Sequence, residues 1–304
     1  MIVLCRLFEY LAFREAVVLW RFIRNDIKDT IVPSLISFLT AWFLYDHTWK
    51  SFPVRLLFSL TYAVLYIYTF CMSNQVNSIA EDAINKPDRP LPSGLVTPKE
   101  TKDRIIVYNI LFLLVAYMLH VFWISVGWQL VTAALNSWGW SNHWISKNHV
   151  CMSVGTFLLF TGQWTIASPQ VEMTMSSYLY FGLLSLWAGF SLAIQDFRDE
   201  KGDRQMGRKT LTIAMGEKRG RLLMVFQYLI FSPLIFMAAI LTQTSVAEAK
   251  HSPIVVFILL LQFGIHWLIA YRIWFFRNPK ADDLTYHVFV YLFCAGVPVL
   301  CVIK

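Results

Sequence analysis

Hydropathy along the chain rises and falls in a regular series of apolar runs separated by short polar connections. The runs fall at about residues 30–45, 54–77, 104–119, 122–138, 150–167, 175–195, 222–242, 253–276 and 284–303. A helix of about 20 apolar residues crosses the hydrocarbon of a bilayer, and shorter runs do so by borrowing polar flanks. The pattern therefore predicts an all-α membrane protein with nine transmembrane helices, in one domain over residues 1–304. Residues 1–28 differ: Arg6, Arg14, Arg21, Arg24 and Lys28 interrupt the apolar positions, as in an amphipathic helix lying on the membrane surface. Arg6, Glu9, Arg14 and Glu15 also break any signal-peptide core, so insertion is expected to rely on the internal spans.

Composition supports this class. The 304 residues are 57% hydrophobic and 15% charged, with a mean hydropathy of +0.53, whereas soluble domains carry about 25% charged residues. The net charge of +7 does not indicate nucleic-acid binding, because the basic residues gather in alternate loops. They lie in the N-terminal segment and after the second, sixth and eighth spans. Cytoplasmic loops carry such an excess, so the N-terminus and the loops 81–104 and 196–221 are expected in the cytoplasm, with the C-terminus outside. Cys5, Cys71, Cys151, Cys294 and Cys301 form no CxxC and read as buried thiols. Nothing in the sequence marks an obligate protein partner.

Two polar clusters stand where spans end. After the sixth run comes DFRDEKGD, residues 196–203. As helix it places Asp196, Asp199 and Asp203 at i, i+3 and i+7, three carboxylates on one face. Such carboxylates repel, and a membrane boundary also desolvates them, so a cation is their natural occupant. A solvated helix end paired with Lys201, Arg204 and Arg208 is the rival reading. The second run ends in SNQVNSIAEDAINKPDRPLPSG, which places Asn74, Ser78 and Asp82 on one face with Glu81 beside them. Here the rival is a capped helix end.

Both clusters are followed by basic residues, and both lie on the predicted cytoplasmic side. Hard oxygen ligands suit Mg2+, which needs only one or two carboxylates and keeps several waters. The expected metal ligands are Asn74, Glu81, Asp82, Asp196, Asp199 and Asp203, with Asp82, Asp196 and Asp199 central to catalysis. Arg89, Lys147 and Arg208 are the expected partners of a diphosphate, although single basic residues at a membrane surface also serve anionic headgroups. NKPDRPLPSG and GDRQMGRKTLTIAMG form a faint internal repeat, as two halves facing a central cavity would. Aromatic residues make up 16% of the chain. Most suit lipid contact, and rings lining a cavity could stabilise a carbocation. GxSxG, HExxH, P-loop and Rossmann patterns are absent.

DFRDEKGDRQMGRKTLTI and INKPDRPLPSG, with the nine-span layout, resemble the UbiA superfamily of intramembrane prenyltransferases over nearly the whole chain. The resemblance implies a helical bundle with a central cavity open to the membrane, and a prenyl diphosphate bound through Mg2+ to both Asp-rich motifs. It also implies ionisation of the allylic C–O bond. Where the superfamily usually reads NDxxDxxxD this chain reads NQVNSIAED, so Gln75 and Ser78 replace two carboxylates. That variant, with NHWISKN after the fourth span, is similar to fungal UbiA-type sesquiterpene cyclases of the fumagillin-pathway kind. The expectation is a multi-pass Mg2+-dependent terpene cyclase acting on farnesyl diphosphate, placed in the endoplasmic reticulum membrane if the cell is eukaryotic. A prenyltransferase using an aromatic or other acceptor, and a non-catalytic binder or flippase of an isoprenoid diphosphate, are the alternatives.

Overall fold

The computed structural model describes residues 2–45 and 48–303, with side chains from residue 12 onward. The order is α1 (Ile2–Ile23), α2 (Val32–Leu44), α3 (Phe52–Asn77), α4 (Ile79–Asn85), α5 (Pro98–Met118), α6 (Phe122–Asn136), α7 (Ser153–Ala167) and α8 (Met175–Ser191). There follow α9 (Gln195–Gln205), α10 (Leu211–Met215), α11 (Glu217–Phe226), α12 (Ser232–Leu241), α13 (Val246–His251), α14 (Pro253–Phe275), α15 (Pro279–Gly296) and α16 (Leu300–Ile303). π-helical turns at Ile27–Ile31, Ile145–Met152 and Gln227–Phe231 lead into α2, α7 and α12. Among the described residues there is no strand, and the chain has the all-α membrane architecture expected of it.

Seven stretches are long and apolar enough to cross a membrane: Ile27–Leu44, Trp49–Asn77, Ile145–Ala167, Met175–Gln205, Glu217–Leu241, Pro253–Phe275 and Pro279–Ile303. The other two expected spans are α5 and α6. Lys102, Asp103 and Arg104 enter any eighteen-residue stretch of α5, and α6 has only 15 residues. Both helices nevertheless pack on α3.

Lipid offers backbone and side-chain polar groups no partner, so several of those inside the bundle pair with one another. Gln163 on α7 donates to Ser34 on α2 at 2.7 Å and accepts from Ser59 on α3 at 2.6 Å. Trp128 on α6 stacks on Tyr66 of α3, ring centroids 4.1 Å apart, and donates to its carbonyl. The Tyr66 hydroxyl in turn donates to Gly155 on α7. In the second half Trp187 on α8 donates to His266 on α14 at 2.9 Å, amid Phe236, Phe289 and Phe293. Trp164, Phe160, Phe181, Trp187 and Phe289 have no accessible surface, so no water-sized void adjoins these rings.

The amphipathic N-terminal segment is helix α1. Glu15 pairs with Arg104, and Arg14 with Glu100 at 2.9 Å, so α1 is tied to the first turns of α5. Arg6, Glu9 and Cys5 lie outside the described side chains. Cys71, Cys151 and Cys294 are buried thiols, while Cys301 is exposed.

Candidate diphosphate and cation site

Asp196, Asp199 and Asp203 do stand on a helix, α9, beginning one turn beyond α8. Asp196 is fully buried, Asp203 is 1% exposed, and Asp199 is only slightly open. A carboxylate buried to that degree needs donors. Asp196 has three: Lys147 Nζ at 3.0 Å, Asn148 Nδ2 at 3.3 Å and the Leu211 backbone N–H at 3.1 Å. Leu211 reaches it because the loop after α9 folds back. The Lys209 backbone pairs with Asn142 and Trp144, tying this loop to the one before the π-helical turn that carries Lys147.

Asp199 accepts from Arg198 Nε at 3.1 Å and Nη2 at 3.2 Å, and Arg198 continues to Asp283 on α15 at 2.7 Å. The Arg198 guanidinium also lies 4.9 Å over the Tyr286 ring, whose hydroxyl donates to Asp29. Asp203 Oδ1 accepts from Arg208 Nη1 at 2.9 Å.

The first motif meets this helix directly. α4 packs on α9, where Asn85 donates to the Asp199 carbonyl at 3.4 Å. Gly202 permits that approach, since a Cβ there would lie 2.2 Å from Asn85 Nδ2. Glu81 Oε2 lies 2.6 Å from Arg208 Nη1, the same nitrogen that serves Asp203. Asp82 is paired with Arg89 instead, at 2.8 and 3.0 Å, so a residue expected to hold metal and one expected to hold diphosphate are joined to each other. Asn74 lies farther back on α3 and donates to Asn136 on α6 at 3.1 Å. Gln75 donates to the Phe22 carbonyl, and Ser78 to that of Asn74, so neither side chain's hydrogen is aimed at the acidic groups.

Burial shifts the groups that lie outside the membrane spans. It pushes the Glu81 carboxyl above its ordinary range, against the pull of Arg208. Burial would lower the Arg208 guanidinium, but Glu81 and Asp203 outweigh it and hold the pKa above the usual value. Arg89 behaves likewise, burial being outweighed by Asp82 and then Asp26.

Among the described residues no three His, Cys, Asp or Glu side chains converge as a ready set of metal ligands. Each acidic side chain of the two motifs meets a basic one. The donors are hard carboxylate oxygens all the same, and Asp203 Oδ2 is buried without any hydrogen-bond partner. Oxygen ligands with an unsatisfied buried carboxylate fit Mg2+, for which one or two carboxylates suffice. Asn148, Arg198 and Asn85 were not singled out by sequence. Asn148 follows Lys147 directly, and Arg198 sits inside the acidic run, so adjacency to the chosen residues was the available signal.

The UbiA prenyltransferase family model matches residues 34–294. A diterpene cyclase from Hericium erinaceus is 32% identical over 282 residues, covering 92% of this chain and 86% of that protein. A polyprenyl transferase from the same species is 31% identical over 281 residues, covering 92% of each. Among solved structures, a UbiA homolog from Archaeoglobus fulgidus bound to DMAPP and Mg2+ superposes with a TM-score of 0.65. It covers 94% of this chain and 99% of its own at 13% identity, a likeness of fold.

Proposed function

Because the chain belongs to the UbiA prenyltransferase family, we propose that it is an integral-membrane, Mg2+-dependent terpene cyclase that ionises a prenyl diphosphate and closes the carbocation into a hydrocarbon. The observation that carries this reading is the Arg208 nitrogen, held at once by Glu81 of the first motif and Asp203 of the second. A diphosphate with its counter-cations is the ligand class that needs acids and bases interleaved in this way.

Asp196, Asp199, Asp203 and Glu81 are the residues that would hold Mg2+, with Asn74 at the rear of the site. The bound metal supplies positive charge to the diphosphate oxygens and so makes the diphosphate a better leaving group. Lys147 and Arg208 exchange their carboxylate partners for diphosphate oxygens and stabilise the charge that grows there as the C–O bond breaks. Asn148 and the Leu211 N–H stay on Asp196 and keep that carboxylate in place. Aromatic side chains along the prenyl chain would exclude water, and each would contribute about 0.5–2 kcal/mol of cation–π stabilisation to the carbocation. The active-site loops and the N-terminus face the cytoplasm in this reading, and the substrate enters from the bilayer.

Relatives of nearly equal identity include both a cyclase and a transferase, so transfer to an acceptor is the second reading. One assay separates them. Purified protein is given Mg2+ and either farnesyl or geranylgeranyl diphosphate without acceptor, and the organic phase is analysed. A cyclic hydrocarbon supports the cyclase, prenyl transfer that requires an added acceptor supports the transferase, and binding without turnover removes both.

A further inference from the structure

Asp29 belongs to neither acidic motif, yet the fold brings it to their side. The π-helical turn Ile27–Ile31 carries it between α1 and α2, and such turns are frequent at functional sites. The Tyr286 hydroxyl, 257 positions away on α15, donates to Asp29 Oδ2 at 2.7 Å. The Tyr286 ring is buried beneath the Arg198 guanidinium, which lies 4.9 Å from its centroid and holds Asp199 at 3.1 Å. Tyr286 and Arg198 thus link Asp29 to a motif carboxylate. The other Asp29 oxygen, Oδ1, is buried and has no hydrogen-bond partner. Asp26, one turn earlier, accepts from the Cys71 thiol at 3.4 Å, and Asp283 pairs with Arg198 and His287.

Glu81, Asp82, Asp196, Asp199 and Asp203 each lie against a lysine or arginine. A cation beside a carboxylate stabilises its charged form and makes it a poor proton acceptor. Among the described residues Asp29 has no such partner: a neutral phenol fixes one oxygen and leaves the lone pairs of the other free. We propose that Asp29 is the general base that ends the cyclisation. The cyclic carbocation loses a proton from a carbon next to the cationic centre, the C–H electron pair becomes the C=C bond of the hydrocarbon, and the proton passes to Asp29 Oδ1. It then leaves with the released diphosphate, so each prenyl diphosphate consumed gives a hydrocarbon, a diphosphate and a proton. Burial keeps water from that oxygen and from the cation it serves. Tyr286 is a positioning residue, whose hydroxyl fixes the carboxylate and so selects the carbon that is deprotonated.

This assignment rests on the cyclase reading, and its test separates the two. The full chain in detergent is given Mg2+ and farnesyl or geranylgeranyl diphosphate, and diphosphate release and organic products are measured on the same samples. Wild type is expected to release diphosphate and form its hydrocarbon in step. In Asp29→Asn the ratio of that hydrocarbon to released diphosphate is expected to fall about tenfold or more, since a positioned base contributes about 10²–10⁴-fold. Alcohols from capture of the cation by water, or other olefins, take its place. Asp29→Glu keeps a carboxylate and is expected to restore olefin formation with the double bond moved to a neighbouring carbon. Tyr286→Phe retains the ring under Arg198 and is expected to lower the same ratio by a smaller factor; it decides the matter should Asp29→Asn fail to fold. A purely structural role lowers hydrocarbon and diphosphate together, so a wild-type ratio in the deciding variant overturns the assignment. A wild-type protein that releases no diphosphate, or releases it only with an added acceptor, overturns the cyclase reading itself.

Discussion

Lys147 and Asp196, forty-nine positions apart, form an ion pair of 3.0 Å at the junction of the Ile145–Met152 turn and α9. The carboxylate is fully buried and the ammonium mostly so. Removing one partner of a buried pair costs about 3–5 kcal/mol because the other is left uncompensated.

Lys147→Met is therefore expected to lower Tm markedly, and to reduce kcat by about 10²–10³-fold as a lost donor to the leaving group does. Lys147→Met/Asp196→Asn should recover most of the stability and none of the activity. Thermal unfolding and product formation measured on the same preparations decide this. Recovery of activity in the double variant would remove both residues from the mechanism.

Gly189 on α8 faces the segment that holds Lys147 and Asn148. A Cβ at this position would lie 2.8 Å from the Asn148 carbonyl and 2.0 Å from Ser153 Oγ. Gly189→Ala should push α8 off that segment at about 1–3 kcal/mol. Displacement of catalytic groups by an ångström can cost about 10²-fold, so the activity lost should exceed what unfolding explains. Specific activity per folded protein, compared with wild type, is the readout.

Arg221 and Asp282 form another deeply buried pair, with two 2.9 Å bonds joining α11 to α15 and the guanidinium 4.5 Å over Phe197. The pair touches none of the motif carboxylates. Arg221→Met is expected to destabilise the protein by about 3–5 kcal/mol, and Arg221→Met/Asp282→Leu to restore most of that. Both variants should keep near-wild-type kcat once folded. Unfolding curves with active-site titration check the two parts separately.

Chelation should abolish turnover, and Mg2+ should restore it. Ca2+ prefers larger, more flexible oxygen cages than Mg2+, so it should restore less. Turnover that persists in excess chelator would contradict the assigned cation.

The acidic face of α9 was legible because a 3.6-residue period acts on charge as it acts on apolar residues: Asp196, Asp199 and Asp203 fall together whatever surrounds them. The partners were not legible in the same way. Arg208 reaches Glu81 only because the loop after α9 folds back, and periodicity says nothing about loops. Asn148 stands beside Lys147, yet an amide at a helix start reads as a cap until its contact with Asp196 is known. The break at Ser78 separates Asn74 on α3 from Glu81 and Asp82 on α4, whereas an unbroken helix was expected to carry Asn74, Ser78 and Asp82 on one face. α5 and α6 carried enough apolar residues to read as spans, but charge in one and length in the other set them apart from the seven stretches that qualify.

The central claim is that two distant segments build one seat for a diphosphate and its cations. A crystal or cryo-EM structure with Mn2+ and a non-ionising farnesyl thiodiphosphate tests it most directly. The account predicts metal density between Glu81 and the carboxylates of Asp196, Asp199 and Asp203, with Lys147 and Arg208 turned onto the diphosphate. Diphosphate bound elsewhere, with Lys147 still on Asp196 and Arg208 still bridging Glu81 and Asp203, would contradict it.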